Sequence, residues 1–226
     1  MKPWRVKNWI IPEAGPEFVY DMEAVLDVYE RPYDPEHPVV NLDESPKQLI
    51  SQVRKTFSDS KGATYQDYEY KREGVADMYM IVEALGGHRE VLVREDHTSQ
   101  TYAKVVAHIV EEMYPDAKKI TLVEDNLSAH KLAALYEAYQ PERARSIAKK
   151  LEIVRTPKHG SWLNIAECEL SVLTRQGLEK RVPDIETLKQ QTKAWYSQRN
   201  CNQTKVNWQF TTKDARVKLK KLYPSI

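Results

Sequence analysis

Three short apolar runs in the first half of the chain predict β-strands. Residues 38–43 are rich in β-branched side chains and end in an acid, which is typical of a buried strand. Residues 78–85 and 90–95 flank Gly86 and Gly87, a pair that can adopt positive φ and close a hairpin. The pattern therefore predicts three successive strands, of which the last two are antiparallel.

A helical period follows in residues 102–113. Apolar side chains recur there at i, i+3, i+4, i+7, i+8 and i+11, namely Tyr102, Val105, Val106, Ile109, Val110 and Met113. This spacing predicts an amphipathic helix, for which Thr98 or Ser99 is a candidate cap.

Strands and helices alternate in the second half of the chain. Residues 119–125 predict a strand that ends in acids, and a helix is expected from about Ala129, with a pause near Pro141. Residues 152–155 predict a fifth strand, and residues 162–177 a helix that ends near Gly177. Two more helices are predicted at 184–196 and 212–222.

The order of these elements indicates an α/β fold with a mixed sheet flanked by helices, as in ribonuclease H-like proteins. We expect an N-terminal arm or linker at 1–37, a core at 38–180 and a helical extension at 181–226.

The amino-acid composition excludes only a few classes of function. The 226 residues carry 34 Lys and Arg against 33 Asp and Glu, so an argument for nucleic-acid binding has to be local. The cysteines Cys168 and Cys201 form no CxxC pair and have no His at zinc spacing. No apolar run is long enough for a membrane span, and the first residues lack a signal-peptide pattern. A cytoplasmic protein with reduced thiols is the expectation.

Acids follow two of the predicted strands, and more acids lie in the helix of residues 162–177. Asp43 and Asp125 end strands that would be neighbours in such a sheet, and Glu167 can complete a cluster with them. Oxygen ligands without Cys or His favour Mg²⁺ or Mn²⁺, and two such ions can support in-line displacement at a phosphodiester. Spacing alone does not choose between Asp43 and Glu44, between Glu124 and Asp125, or between Glu167 and Glu169.

Three segments carry a resemblance to a known family: VVNLDESPKQL, TLVEDNLSAHK and TPKHGSWLNIAECELSVL. They resemble the acid-bearing motifs of DDE transposases in the mariner-like superfamily, specifically the bacterial insertion-sequence branch numbered six-thirty. The tail WQFTTKDARVKLKKLYP is similar to the same family, so the likeness extends from about Pro3 onward. By this resemblance Asp43, Asp125 and Glu167 are the catalytic, metal-binding acids. The separation of Asp125 and Glu167, 167 − 125 = 42 positions, is longer than usual, and the excess is expected in QPERARSIAKK.

The resemblance also implies function and partners. Family members cleave DNA at transposon ends with Mg²⁺ and transfer the freed 3′-hydroxyl into target DNA. They read the ends through an N-terminal helix-turn-helix region, and we expect no such region ahead of Lys2 in this sequence. It implies as well a homodimer in the DNA complex and a bacterial, nucleoid-associated location in the cytoplasm.

Several further residues are candidates for a supporting role. Asn126, His130 and Asn164 are candidates for hydrogen bonds behind the acids, although Asn and His are also common in turns and caps. Candidate DNA contacts are Arg5, Lys7, His159, Lys213, Arg216, Lys218 and Lys220. For each of these, a solvated surface residue is the ordinary alternative.

Two other functions stay open on the sequence. The same carboxylates suit another ribonuclease H-like nuclease, and the chain also fits a non-catalytic DNA-binding remnant of a decayed element. A receiver domain fits poorly, because the hairpin at Gly86 and Gly87 is foreign to an all-parallel sheet.

Overall fold

A computed structural model describes residues 15–65, 67–126 and 131–224. The strands are β1 (Val39–Gln52), β2 (Phe57–Ser58), β3 (Thr64–Tyr65), β4 (Tyr70–Glu83), β5 (His88–Arg94), β6 (Ile120–Glu124) and β7 (Leu151–Arg155). The α-helices are α1 (Pro16–Tyr29), α2 (Ser99–His108), α3 (Ala134–Ala138), α4 (Pro141–Lys149), α5 (Ile165–Gln176), α6 (Ile185–Cys201) and α7 (Thr212–Lys218). In addition, a π-helical turn (Ile109–Met113) extends α2, and 3-10 turns lie at Ser161–Leu163 and Lys220–Leu222.

Five strands form one mixed sheet in the order β5-β4-β1-β6-β7. β1 is antiparallel to β4 and parallel to β6, and β6 is parallel to β7. The carboxyl ends of β6 and β7 therefore lie at one edge of the sheet, next to the middle of β1. The predicted mixed α/β sheet with flanking helices is present.

Side-chain alternation along β1 assigns its residues to two different cores. Val40 and Leu42 pack with the predicted stripe of α2, where Val105 and Ile109 are fully buried. Leu49 is on the face of β1 opposite to that of Val40 and Leu42, and it packs with α5 and α6. The sheet is thus covered by α2 to α4 on one face and by α5 and α6 on the other.

The first strand is longer than predicted. It does not end at Asp43 but continues to Gln52, because β4 pairs with it antiparallel over almost its whole length. The added residues are mostly polar, with Leu49 and Ile50 as the exceptions, so they carry no alternating apolar pattern. Beyond them the short β2–β3 hairpin, which turns near Gly62 at φ +82°, had no prediction.

Three helix predictions need adjustment. The segment QPERARSIAKK forms α4 from Pro141, which suits the first turn of a helix. The helix predicted at 162–177 begins only at Ile165, because Asn164 caps it and Ser161–Leu163 forms a 3-10 turn. The helix predicted at 212–222 ends at Lys218.

Helix α1 packs against the sheet and the C-terminal helix. Met22, Val25 and Leu26 are fully buried in a cluster that includes Val123 and Ala215. The division at residues 37 and 180 stays a prediction, although α1 is in contact with the core. In the described part of the chain, no helix has the length and apolarity needed to cross a bilayer.

Candidate active site

Asp43 is the fifth of the 14 residues of β1 and lies opposite Met80 of β4. The parallel pairing of β1 with β6 ends at Asn41, so Asp43 lies just beyond the point where the two strands separate. One carboxylate oxygen, Oδ1, accepts a hydrogen bond of 2.9 Å from the Glu44 amide. The half-buried side chain is on the face of β1 that packs toward α5.

The two acids at the end of β6 have different surroundings. Glu124 is fully buried and accepts a 2.7 Å hydrogen bond from the Tyr102 hydroxyl, and an Arg155 nitrogen lies 3.7 Å from its other oxygen. Asp125 is half-buried and lines an open cleft together with Asp43. The structure thus separates a buried acid from a cleft acid at this pair.

The acids of α5 are separated in the same way. Glu167 is exposed and lines the cleft. Glu169 is only 4% exposed, and its oxygens lie 2.9 Å from Arg89 Nε and 2.8 Å from an Arg199 nitrogen. Glu169 is therefore held between two guanidinium groups on the far side of the helix, and only Glu167 is directed toward the other acids.

The cleft that receives these acids has a volume of about 530 Å³. It is lined by Asp43, Glu44, Ser45, Asp125, Ser161, Asn164, Glu167, Leu170, Ser171, Thr174 and Arg175. Burial, followed by the charges of Asp125 and Glu44 and then that of Glu167, raises the pKa of Asp43 to about 7. The negative charges thus oppose one another in this cleft.

The arrangement is open rather than a closed ligand cage. Among the described residues, no three His, Cys, Asp or Glu side chains are gathered tightly enough to hold a metal as they stand. The donor set itself fits a hard divalent cation, because carboxylate oxygens from three elements face one space with no thiol or imidazole among the described lining residues. A cation between them would relieve their mutual repulsion.

Asn164 links the cleft to both supporting elements. Its Oδ1 accepts a 3.0 Å hydrogen bond from the Ala166 amide and so caps α5, and its Nδ2 donates to the Leu42 carbonyl at 3.0 Å. The residue is fully buried next to Asp43 and Glu167. By contrast, Asn126 is exposed and accepts a 3.0 Å hydrogen bond from Arg155. His130 lies outside the described residues.

The predicted DNA contacts are distributed over several surfaces. Arg5 and Lys7 lie outside the described residues. His159 is exposed at positive φ (67°) in the loop before α5. On α7, Arg216 forms a two-pronged ion pair with Glu23 of α1, at 2.8 and 2.7 Å. Lys218 pairs with Asp214 at 3.0 Å, whereas Lys213 and Lys220 are exposed.

Two basic residues near the cleft, Arg175 and Lys47, were not among the site residues predicted from the sequence. Arg175 lines the cleft eight residues after Glu167, on the same helical face. Lys47 lies on β1 on the same face as Asp43 and donates a 3.4 Å hydrogen bond to the Leu178 carbonyl. The signal for Arg175 was present in the sequence, because Glu167, Ser171 and Arg175 are spaced by four.

The comparison with known families decides the assignment. The sequence profile described as "DDE superfamily endonuclease" matches residues 38–189. The chain belongs to this family of DDE endonucleases. The predicted DDE enzyme class is thereby confirmed at the family level, while the insertion-sequence branch stays a prediction. No protein with a curated description matches this DDE endonuclease by sequence.

Solved structures of the Mos1 transposase have a similar fold. The paired-end complex with the left transposon end matches with a TM-score of 0.54 at 14% identity, over 85% of this chain and 58% of the Mos1 chain. The paired-end complex with Mn matches with a TM-score of 0.55 at 16% identity, over 86% and 59% of the two chains. The paired-end complex with Mg matches with a TM-score of 0.53 at 14% identity, over 96% of this chain and 64% of the Mos1 chain.

At such identities the likeness concerns the fold, and it confirms the ribonuclease H-like class for this DDE endonuclease. The chain spans about three fifths of the length of the first Mos1 chains it matches.

Proposed function

We propose that this chain is the catalytic domain of a transposase that cleaves DNA at transposon ends and joins the freed 3′-hydroxyl to target DNA. The observation that carries the proposal is the meeting of Asp43, Asp125 and Glu167 in one cleft of a DDE endonuclease fold. The similar Mos1 chains, which were solved in paired-end and strand-transfer complexes, add support.

Asp43, Asp125 and Glu167 would hold the divalent metal, Mg²⁺ or Mn²⁺, and we propose two ions. When bound, these ions supply charge stabilisation at the scissile phosphate and a more acidic attacking hydroxyl. Similar Mos1 complexes contain Mn and Mg. In cleavage, water attacks phosphorus and loses a proton, the bond from phosphorus to the 3′ oxygen breaks, and that oxygen gains a proton and leaves as the 3′-hydroxyl. In strand transfer the 3′-hydroxyl attacks a phosphorus of the target DNA and loses its proton, and the 3′ oxygen of the target strand leaves and gains a proton.

Residues of this chain supply the alignment that such a displacement needs. Asn164 fixes the first turn of α5 to the Leu42 carbonyl of β1, so that Glu167 and Asp43 are held across the cleft from each other. On the far side of α5, Glu169 ties the helix to Arg89 and Arg199. The helix is therefore restrained at its first turn and along its buried face.

We further propose that the protein acts on DNA as a homodimer, as the family resemblance implies. In this proposal the N-terminal arm comprises residues 1–37, the catalytic core residues 38–180 and the helical extension residues 181–226. The bacterial origin and nucleoid association stay predictions from the same resemblance.

Cleavage of plasmid DNA tests the proposal. Purified protein is incubated with Mn²⁺ and a plasmid that carries the DNA flanking its own coding sequence, and the nicks are mapped. We expect nicks at the ends of the element. Scattered nicks would instead indicate a general nuclease, and a failure to nick under any divalent metal would favour a non-catalytic DNA-binding protein.

Substitution of the acids tests the site itself. Asp43→Asn, Asp125→Asn and Glu167→Gln should each reduce nicking to background, because each removes a charged metal ligand. The matched control is Glu179→Gln, which changes an exposed acid shortly after α5 and should leave nicking unchanged. Full activity in any of the three acid variants would remove that residue from the proposed site.

A further inference from the structure

The end of the cleft away from the three acids is basic. Arg175 lines the cleft and is exposed. Within residues 15–65, 67–126 and 131–224, no carboxylate lies at ion-pair distance from Arg175. Its Nε donates to the Ser171 carbonyl at 3.2 Å, which leaves the two terminal nitrogens of the guanidinium for another acceptor.

Lys47 of β1 lies close to this end of the cleft without lining it, because its Nζ contacts the segment that follows α5. The Leu178 carbonyl, which accepts from Lys47 Nζ at 3.4 Å, lies two residues after the last residue of α5, Gln176. Burial lowers the pKa of Lys47, and no carboxylate of the described residues lies within ion-pair distance of it. A half-buried ammonium with a single long hydrogen bond retains donors for an external anion.

The spacing of the two cations from the acids suits a DNA strand. Lys47 is four strand residues beyond Asp43, or about 14 Å. Arg175 is eight helical residues beyond Glu167, or about 12 Å. Each strand of a duplex advances about 3.4 Å per nucleotide along the duplex axis. Where this axis follows the cleft, both cations therefore lie about three or four nucleotides from the acids.

We propose that Lys47 and Arg175 form a phosphate-binding site that holds the DNA backbone about three or four nucleotides from the scissile phosphate. The site deepens the proposed function and rests on it, because it presumes that DNA occupies the cleft. Ser171, which is exposed between Glu167 and Arg175 on the cleft wall, offers a hydroxyl to the same backbone. Contacts of this kind position DNA without reading its sequence.

Salt-dependent DNA binding tests the proposal without metal or catalysis. Fluorescence anisotropy with a labelled random-sequence duplex is measured in EDTA between about 50 and about 200 mM salt. The logarithm of the association constant falls as the logarithm of the salt concentration rises, and each lost phosphate contact should make this slope less steep by about 0.9. Arg175→Ala and Lys47→Met should therefore each lose about 3.5-fold less affinity than the wild type over this interval, and the double variant about 12-fold less.

Charge and position are controlled separately. Arg175→Lys keeps the charge and should retain the wild-type slope. The matched controls are Arg145→Ala on α4 and Lys104→Ala on α2, both exposed on helices that cover the other face of the sheet, and they should also keep it. If Lys47→Met does not fold, as judged by thermal melting, Lys47→Gln replaces it.

The outcomes separate this site from the proposed function. Wild-type slopes in both Arg175→Ala and the Lys47 variant would overturn the phosphate site, and so would a wild-type chain that does not bind DNA in this salt range. Reduced slopes in a protein that never nicks DNA with Mn²⁺ would support the phosphate site and count against the transposase proposal alone.

Discussion

At Asp43, burial and neighbouring charges both disfavour the ionised carboxylate. They raise the pKa of the folded protein to about 7 from the ordinary 3.8. A raised pKa means that the folded state binds the proton more tightly than the unfolded state. The resulting stability is present below about pH 4 and is lost as the pH rises through about 7.

We therefore expect Asp43→Asn to stabilise the metal-free protein at about pH 8, by about 2 kcal/mol. The gain should shrink as the pH is lowered toward about 4. The amide keeps an oxygen that can accept from the Glu44 amide, so the hydrogen bond is not lost. Thermal melts at several pH values measure the effect, with the exposed Asp116→Asn as control. A lower Tm at about pH 8 would show instead that the carboxylate is a structural acceptor.

Glu169 differs from Asp43, because it is buried and its negative charge is compensated by two guanidinium groups. Its oxygens meet Arg89, which is fully buried, and Arg199. Glu169→Gln should lower the free energy of unfolding by about 3 kcal/mol, since it leaves a buried guanidinium without its counter-charge. Glu179→Gln serves as the exposed control in denaturant titrations. At a temperature where the variant is folded, nicking should persist, whereas an inactive Glu169→Gln together with an active Glu167→Gln would contradict the assignment of Glu167 as the cleft acid.

At the scale of elements, the start of α5 depends on one side chain. Asn164 caps the helix and also donates to the Leu42 carbonyl of β1. Asn164→Ala should lower the free energy of unfolding by about 1 kcal/mol for the cap and by a further 1 to 3 kcal/mol, roughly, for the buried carbonyl.

A second capped helix provides the comparison. Asp184 caps α6 through the Thr187 amide in an exposed position, so Asp184→Ala should cost only about 1 kcal/mol. Urea titrations of both variants measure the difference. Equal losses would mean that the hydrogen bond from Asn164 to β1 contributes no stability, and the link between α5 and β1 would then rest on packing alone.

At the scale of the whole molecule, metal binding and folding are expected to be coupled. A cation that binds the folded cleft but not the unfolded chain stabilises the protein by about 2.7 kcal/mol when its free concentration is about 100 times its Kd. Mn²⁺ should therefore raise the Tm relative to EDTA, and the rise should be absent in Asp43→Asn. An equal rise in both proteins would place the metal elsewhere.

The wider framework that supports α5 also spans distant parts of the chain. Arg89 of β5 meets Glu169 of α5, and the backbone of Arg89 exchanges hydrogen bonds with the Asn200 side chain of α6 at 3.0 and 2.7 Å. Helix α6 is thus joined to Arg89, which contacts Glu169 and so restrains the helix carrying Glu167. Substitutions in α6 can consequently alter the cleft without contacting it.

Local patterns in the sequence were sufficient for most of the element order. The apolar stripe from Tyr102 to Val110 is helical as predicted, although a π-helical turn begins at Ile109. The hairpin turn at Gly86 and Gly87, with positive φ at Gly87, and the strand before Asp125 are also present. The periodicity of helices and strands depends only on residues that are close in sequence, so it can be recognised without the tertiary structure. The acid-bearing segments were found in the same way, by motif.

The resemblance had already favoured Asp125 over Glu124 and Glu167 over Glu169, and only the tertiary structure shows a physical reason for these two choices. Glu124 and Glu169 are withdrawn because distant residues receive them: Tyr102 and Arg155 in one case, Arg89 and Arg199 in the other. The extension of β1 past Asp43 likewise depends on its pairing with β4. Burial and ion pairing between separated segments leave no period in the sequence, and for that physical reason the spacing of residues alone could not choose between the neighbouring acids.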